Sequence, residues 1–249
     1  MTLKKTAVIA LCAALTFTGA ALADETAELG RAVFENNKDA VVTVRSVVSL
    51  SLGGEETERE SWANGTIVDE SGLTLVALSL LDPTQLAKVM GREMSSKVVS
   101  LNIVLPDGAE IEAEEAIRDN DLDLALLRPV EQPEQPMPHV DLDNIAEPKI
   151  LDELAILAQL GEVARRAHSV MIERVESIVE KPLKYFVIGE HRMQSVLSSP
   201  AFTLDGQFVG VGTMRAIKSS SDGGRGDNIL VIVVPAEKIK EAVAQVPER

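Results

Sequence analysis

Apolar and polar residues follow two different spacings along this chain, with the change near residue 40. Before it, Leu29, Ala32 and Val33 recur at helical spacing, which predicts a short leading helix over residues 24–38. From Ala40 onward the apolar residues are largely β-branched and stand in short runs separated by turn residues, such as AVVTVRSVVSLSL, TIVDESGLTLVAL and KVVSLNIVLPDGAEIEAEEAI. These runs predict short strands joined by tight turns.

The second half of the chain is less uniform. Residues 129–150 carry five prolines without a sustained apolar period, which indicates a linker. Residues 150–182 are rich in Leu and Ala, and periodicity alone leaves them open between helix and strand. The segments after them, LKYFVIGE, PAFTLDGQFVGVGTMRAI and ILVIVV, predict strands, and PAEKIKEAVAQV predicts a terminal helix that starts at Pro235. Two groups of strands, forming two barrels or sandwich halves, are therefore expected.

The first 23 residues have the pattern of a secretory signal peptide. A basic start at Lys4 and Lys5 precedes an apolar run that ends in the small-residue sequence Ala21-Leu22-Ala23. We expect cleavage before Asp24, a periplasmic or secreted location, and no membrane attachment after cleavage. Because Cys12 is the only cysteine, the mature chain then contains no disulfide and no thiol nucleophile.

Charge and composition exclude one class of partner. The net charge of −15 becomes −17 once Lys4 and Lys5 are removed, and only 3% of the residues are aromatic. Such a surface repels phosphate and offers few rings for base stacking, so we expect no nucleic-acid binding.

Three segments together resemble the HtrA-type branch of the trypsin-like serine proteases. They are, in order, ANGTIVDESGLTLVALSLLD, LPDGAEIEAEEAIRDNDLDLALLRP and SVLSSPAFTLDGQFVGV. The resemblance implies an all-β fold, a trypsin/chymotrypsin-like double Greek-key β-barrel with short N- and C-terminal helices. It divides the chain into the signal peptide (1–23), a helix and first barrel (24–128), the linker (129–150), and a second barrel with the terminal helix (151–249). The resemblance also implies that residues 153–159 and 170–178 are strands of the second barrel rather than helix. No peptide-binding PDZ module is expected after the terminal helix.

The catalytic triad implied by this resemblance is degenerate. Asp123 stands where the family has the aspartate that orients the catalytic histidine. Ser79 occupies the histidine position and Leu197 the nucleophile position. Without a base and a nucleophile the covalent route is lost, so we expect no peptide hydrolysis by the usual mechanism.

Three serines near Leu197 replace glycines of the family's oxyanion loop. They are Ser195, Ser198 and Ser199, and their side chains disfavour backbone conformations that glycine allows. A divergent endopeptidase that uses Ser198 as a relocated nucleophile is the enzyme alternative. It would need a base such as His191, or a lysine in a Ser-Lys dyad.

No cofactor or metal is expected. Asp119, Asp121 and Asp123 alternate like the start of a calcium loop, but Leu124 and Val130 stand where its glycine and bidentate glutamate belong. A separate motif, Asn64-Gly65-Thr66, is an acceptor sequence for N-glycosylation.

The function expected from these observations is a catalytically silent member of the fold that binds a peptide or protein partner. In the family, the strand after the nucleophile pairs with the substrate backbone, which here points to Val211, Gly212, Thr213 and Met214 as the peptide groove. A scaffold subunit that forms a homo-oligomer, or a hetero-oligomer with an active relative, is the structural alternative.

Overall fold

Two closed antiparallel barrels of six strands each make up the protein. The computed structural model describes residues 25–52, 55–189, 193–216 and 229–247, so the expected signal peptide lies outside the described residues. The first barrel consists of β1 (Val41–Leu52), β2 (Glu55–Ile67), β3 (Thr74–Ala77), β4 (Ser95–Val104), β5 (Glu110–Asp119) and β6 (Leu124–Pro129). The second consists of β7 (Glu153–Gln159), β8 (His168–Val179), β9 (Tyr185–Ile188), β10 (Pro200–Thr203), β11 (Phe208–Ala216) and β12 (Ile229–Pro235).

The helices are short and lie outside the barrel walls. They are α1 (residues 25–37), α2 (Leu78–Leu81), α3 (Thr84–Val89), α4 (Met193–Val196) and α5 (Ala236–Val243), with single 3-10 turns at Lys38–Ala40 and Glu162–Ala164. Within the described ranges, no helix has the length and apolar character needed to span a bilayer.

Both barrels have the same topology. Counted from its own first strand, each closes in the order 1-2-3-6-5-4, with strand 3 beside strand 6 and strand 4 beside strand 1. Strand 4 returning to lie beside strand 1 is the Greek-key arrangement. The predicted all-β double barrel with short terminal helices is confirmed, and the arrangement is consistent with a trypsin-like fold.

The ambiguous region after the linker forms two strands. β7 and β8 pair antiparallel from Glu153 opposite Arg174 to Gln159 opposite His168, which confirms the strand interpretation. β7 reads as helical in sequence because six of its seven residues are buried. A strand covered on both faces loses the alternation of apolar and polar residues that identifies a half-exposed strand.

β2 is longer than its sequence predicts. It starts at Glu55, eleven residues before Thr66, where the predicted strand begins, and it pairs with β1 from Glu55 to Thr66. Its first six residues are all exposed. Because neither face of this half is buried, no apolar period marks it, and backbone pairing to β1 supplies the structure.

The proline-rich segment packs against both barrels. The Met137 and Val140 amides donate to the Glu70 and Ile67 carbonyls, both at 3.0 Å, and Val140 is fully buried. Further along, the Ala146 amide donates to the Phe208 carbonyl at 2.9 Å. This connection is therefore a structured strap rather than a free linker.

The hydrophobic core continues from one barrel to the other. One buried cluster contains Leu75 and Leu126 of the first barrel together with Leu157, Phe202 and Val211 of the second. The seam between the barrels is thus a packed interior, and the candidate site residues lie along it.

Candidate functional site

Asp123 and Ser79 form the first half of the candidate site. Ser79 follows β3 within α2, and Asp123 immediately precedes β6, the strand that pairs with β3. The Ser79 amide donates to Asp123 Oδ1 at 2.7 Å and the Ser79 hydroxyl donates to Oδ2 at 2.9 Å. The Leu78 amide also donates to the Asp123 carbonyl at 3.0 Å. The structure therefore brings these two predicted site residues together.

Asp123 connects the two barrels. The carboxylate accepts a third hydrogen bond, in which the backbone amide of Met214 on β11 donates to Oδ2 at 2.8 Å. Asp123 has a left-handed backbone, with φ at 53°, a conformation that aspartate tolerates better than most residues. This backbone geometry lets one residue hold the Ser79 loop through both its carbonyl and its carboxylate.

The Asp123 carboxyl has a perturbed acidity. Burial raises its pKa from 3.8 to about 6, and the hydrogen bonds from the Met214 amide and from Ser79 reduce this rise. Desolvation outweighs hydrogen bonding here because no cation pairs with the carboxylate among the described contacts. The group is thus ionised at neutral pH and protonated in mildly acidic conditions.

A groove opens beside this carboxylate. It has a volume of about 270 Å³ and is bounded by the α2–α3 region, the loop before β6, and Met214. The lining residues are Leu78, Ser79, Asp82, Gln85, Leu86, Val89, Asn120, Asp121, Asp123 and Met214. We call this space the β11 groove.

Leu197 fills the position expected for the nucleophile. Its side chain is only 3% exposed and belongs to a buried cluster that also contains Ala77 and Val196. Leu197 forms a parallel bridge to Gly212 on β11. An added Cβ at Gly212 would lie 2.1 Å from the Val196 carbonyl oxygen, so glycine is what permits this close approach. The position is occupied by hydrocarbon and offers no group able to attack a carbonyl.

Ser198 is held as a structural residue. It is fully buried, and its hydroxyl oxygen accepts from the Ala77 amide at 2.8 Å. Its amide donates to the Gly212 carbonyl at 2.7 Å, and its own carbonyl accepts from the Thr66 hydroxyl at 2.7 Å. Its φ of 65° is left-handed, so the backbone keeps a glycine-like conformation although a serine occupies the position.

Among the described contacts, Ser198 has no hydrogen bond to a histidine or lysine side chain that could act as its base. His139 Nδ1 contacts the Met137 carbonyl, and His168 Nε2 contacts the Val41 carbonyl. The pKa of Lys184 is raised by its hydrogen bond to Glu147, which is opposite to what a catalytic lysine requires. His191 and Lys218 are not among the described residues. The geometry therefore gives the alternative nucleophile no support.

The predicted peptide strand has one residue at the groove surface. Val211 and Thr213 are fully buried, and Met214 is half-buried along the β11 groove. The Gly212 amide donates to the Ser199 carbonyl at 3.0 Å, and its carbonyl accepts from Ser198. Because backbone groups alternate in direction along a strand, Gly212, Met214 and Ala216 direct theirs away from β12.

The open side of β11 begins after Gly212, whose amide and carbonyl are both bonded to the segment at Ser198 and Ser199. β10 pairs with β11 only as far as Val211, whereas β12 follows it to Ala216. Among the described residues, no second strand lies beside β11 from Met214 onward. The Met214 amide is taken by Asp123, so the Met214 carbonyl and the backbone of Ala216 are the groups directed to this open side that can form hydrogen bonds with a ligand.

Sequence reasoning missed a polar cluster on the seam. Asn64 donates through Nδ2 to the Ser199 hydroxyl at 3.0 Å and accepts the Gln159 amide at 3.1 Å. Thr43 donates to the Gln159 side-chain carbonyl. These bonds bury Asn64, so its use as a glycosylation acceptor is incompatible with this packing. The only sequence signal for this cluster is Asn64 itself, an amide side chain directly before a glycine and a run of β-branched residues.

The acidic alternation before β6 forms a turn. Asp119 Oδ1 accepts the amides of Asp121 and Leu122, at 2.9 and 3.0 Å. Across the described ranges, no group of three or more His, Asp or Glu side chains is arranged to hold a metal ion.

No protein-family model and no curated protein matches the chain.

Proposed function

We propose that this chain is an exported, non-catalytic relative of HtrA-type trypsin-like proteases that binds an extended peptide along β11. The observation that carries this proposal is the contrast along the seam. Leu197 fills the nucleophile position with buried hydrocarbon, while the neighbouring edge of β11 is open. A strand edge binds a peptide through backbone hydrogen bonds without any catalytic residue.

The β11 groove provides room for side chains of such a peptide. Met214 supplies an apolar surface, and the acidic groups Asp82 and Asp121 line the other side. Asp82 is engaged by Arg118, Ser96 and Thr84, whereas the Asp121 side chain is exposed. A peptide with an apolar residue next to a basic one fits this combination.

The experiment is a selection from a phage-displayed random peptide library against the mature chain. A selected peptide should bind saturably and slow hydrogen exchange at the Ala216 amide, because the amides of Gly212 and Met214 already donate to Ser199 and Asp123. Met214→Glu adds charge at the groove surface beside Asp123 and should weaken binding by about tenfold or more. The matched control is Met90→Glu, at an exposed methionine outside the groove, which should bind like the wild type. Selected peptides that protect other strands, or that bind the Met214 variant equally well, would refute the proposal.

A further inference from the structure

A smaller pocket adjoins the β11 groove at Ser79, which lines both spaces. Its other walls come from the hairpin of β1 and β2 and from the segment of α2 with Pro83. Its volume is about 100 Å³, the space of about three water molecules. We call this space the hairpin pocket.

Aliphatic side chains form most of the wall of the hairpin pocket. They are Val48, Leu50, Leu80, Leu81 and Pro83. Val48 and Leu81 are buried, whereas Leu50, Leu80 and Pro83 are half-buried and remain partly accessible. Replacing water at such a wall by an aliphatic side chain is favourable, and the volume is suited to one side chain of the size of valine or leucine.

Two hydrogen-bond donors complete the lining. Arg59 and Ser61 are two residues apart on β2, so their side chains lie on the same face of the strand. Within the described residues, neither the exposed Arg59 side chain nor the half-buried Ser61 hydroxyl has an ion pair or hydrogen bond. The neighbouring Glu58 and Glu60 lie on the opposite face, where Glu60 pairs with Arg45.

This combination of groups is suited to a carboxylate attached to an aliphatic residue. A guanidinium binds the two oxygens of a carboxylate at once, and a hydroxyl donates one further hydrogen bond. The Ser79 hydroxyl already donates to Asp123, so Arg59 and Ser61 are the side chains of the lining that are available to an anion.

The open edge of β11 relates the pocket to the direction of a bound peptide. Asp123 Oδ2 accepts from both the Met214 amide and the Ser79 hydroxyl, so Met214 and Ser79 are neighbours across the seam. A peptide antiparallel to β11 runs from Ala216 past Met214 towards Ser79 and directs its C-terminus to the hairpin pocket. A parallel peptide would direct its N-terminal ammonium there. The unpaired Arg59 attracts a carboxylate and repels an ammonium, which favours the antiparallel direction.

We propose that the hairpin pocket binds the free C-terminus of a peptide that ends in an aliphatic residue. The last side chain fills the pocket, and the α-carboxylate accepts hydrogen bonds from Arg59 and Ser61. This inference rests on the proposed function, because it takes the peptide to lie along β11 and adds the direction and the end that is recognised.

The experiment is a selection from a random peptide library displayed with a free C-terminus, against the chain without residues 1–23. Selected peptides should end in valine, leucine or isoleucine. Each is synthesised as the free acid and as the C-terminal amide, and both dissociation constants are measured by isothermal titration calorimetry. The amide should bind about tenfold or more weakly than the acid, because it loses the charged hydrogen bonds to Arg59.

Arg59→Gln tests the cation without disturbing the core, because the side chain is exposed. It should weaken binding of the acid about tenfold and leave binding of the amide unchanged, so that the two forms bind alike. The matched control is Arg92→Gln, which removes the same charge at another exposed arginine, outside both the groove and the pocket. This control should keep the preference for the acid.

Hydrogen exchange at Ala216 separates this inference from the peptide-binding role of β11. Peptides that slow this exchange but bind equally as acid and amide, or whose preference for the acid survives Arg59→Gln, would overturn the inference and leave the proposed function standing. Peptides that require the carboxylate and Arg59 without slowing the exchange would support the hairpin pocket and refute binding along β11. A selection that yields no saturable binder would refute both.

Discussion

The two halves of the site that the resemblance identifies differ in kind. The first-barrel half keeps a polar frame, in which the Asp123 carboxylate accepts from Ser79 and from Met214 across the seam. The second-barrel half is filled by Leu197 and fixed by the buried Ser198. An oriented carboxylate therefore lies opposite buried hydrocarbon at the position expected for the nucleophile. This contrast indicates that Asp123 has a structural role, which connects the barrels.

The largest expected effect concerns packing at the nucleophile position. Leu197→Ala leaves a cavity in a closed cluster and should lower the free energy of unfolding by about 2–5 kcal/mol. The matched control is Leu151→Ala, at a leucine that is 67% exposed, which should change it by no more than about 0.5 kcal/mol. Chemical denaturation of both variants measures the difference. A cost at Leu197 no larger than at Leu151 would show that the position is an open site rather than a packed one.

The next largest effect is a pH dependence of stability that arises from Asp123, in the polar half of the site. Because the pKa of Asp123 is raised to about 6 in the folded state, its contribution to stability is fully present below pH ~4 and is lost as the pH rises through 6. A rise of about two pKa units corresponds to about 3 kcal/mol. The wild type should therefore lose about this much stability relative to Asp123→Asn between pH 4 and pH 8.

The control for this pH effect has the opposite sign. Lys240 lowers the pKa of Asp143, so the wild type should gain stability relative to Asp143→Asn as the pH rises. Denaturation curves across the pH range measure both differences. A difference for Asp123 that is flat with pH, or that runs in the same direction as that for Asp143, would contradict the burial of this carboxylate.

A smaller effect tests whether Ser198 is structural. Ser198→Ala leaves the buried Ala77 amide without an acceptor and should lower the free energy of unfolding by about 1–3 kcal/mol. Ser71→Ala, at an exposed serine, should lie within about 0.5 kcal/mol of the wild type. Equal stabilities of the two variants would argue against the hydrogen bond from Ala77.

The smallest expected effect concerns proteolytic activity, which we expect a double variant not to gain. The double substitution Ser79→His and Leu197→Ser would place beside Asp123 the two triad groups that the resemblance implies, yet it should give no efficient proteolysis. Ser195, Ser198 and Ser199 would still stand where the resemblance implies glycines of an oxyanion loop, and α4 ends directly before Leu197. Hydrolysis of a casein substrate provides the measurement, with each single substitution as control. Strong activity of the double variant would show that the loop still stabilises an oxyanion.

The fold was largely predictable because turn residues and β-branched runs mark most strands locally. β7 could be predicted as a strand only through the resemblance, since its burial on both faces removes the alternation of apolar and polar residues. The first six residues of β2 could not be predicted as strand, because they pair with β1 while all of them remain exposed. The resemblance assigned Ser79 and Asp123 to one site, and the two residues lie in hydrogen-bond contact. The polar cluster on the seam was not predicted because Asn64 and Gln159, which are bonded to each other, lie 95 residues apart in the sequence. Neither residue stands in a local pattern that indicates this contact.

The most direct test of the central claim, that the nucleophile position is closed, is labelling by a serine-directed fluorophosphonate. The wild-type chain without residues 1–23 is incubated with the probe, with trypsin as a positive control, and adducts are identified by intact mass and peptide mapping. We predict no adduct on this protein, because Leu197 is apolar and Ser198 is fully buried with its hydroxyl bonded to Ala77. Stoichiometric labelling of Ser198, Ser199 or Ser79 would contradict the account.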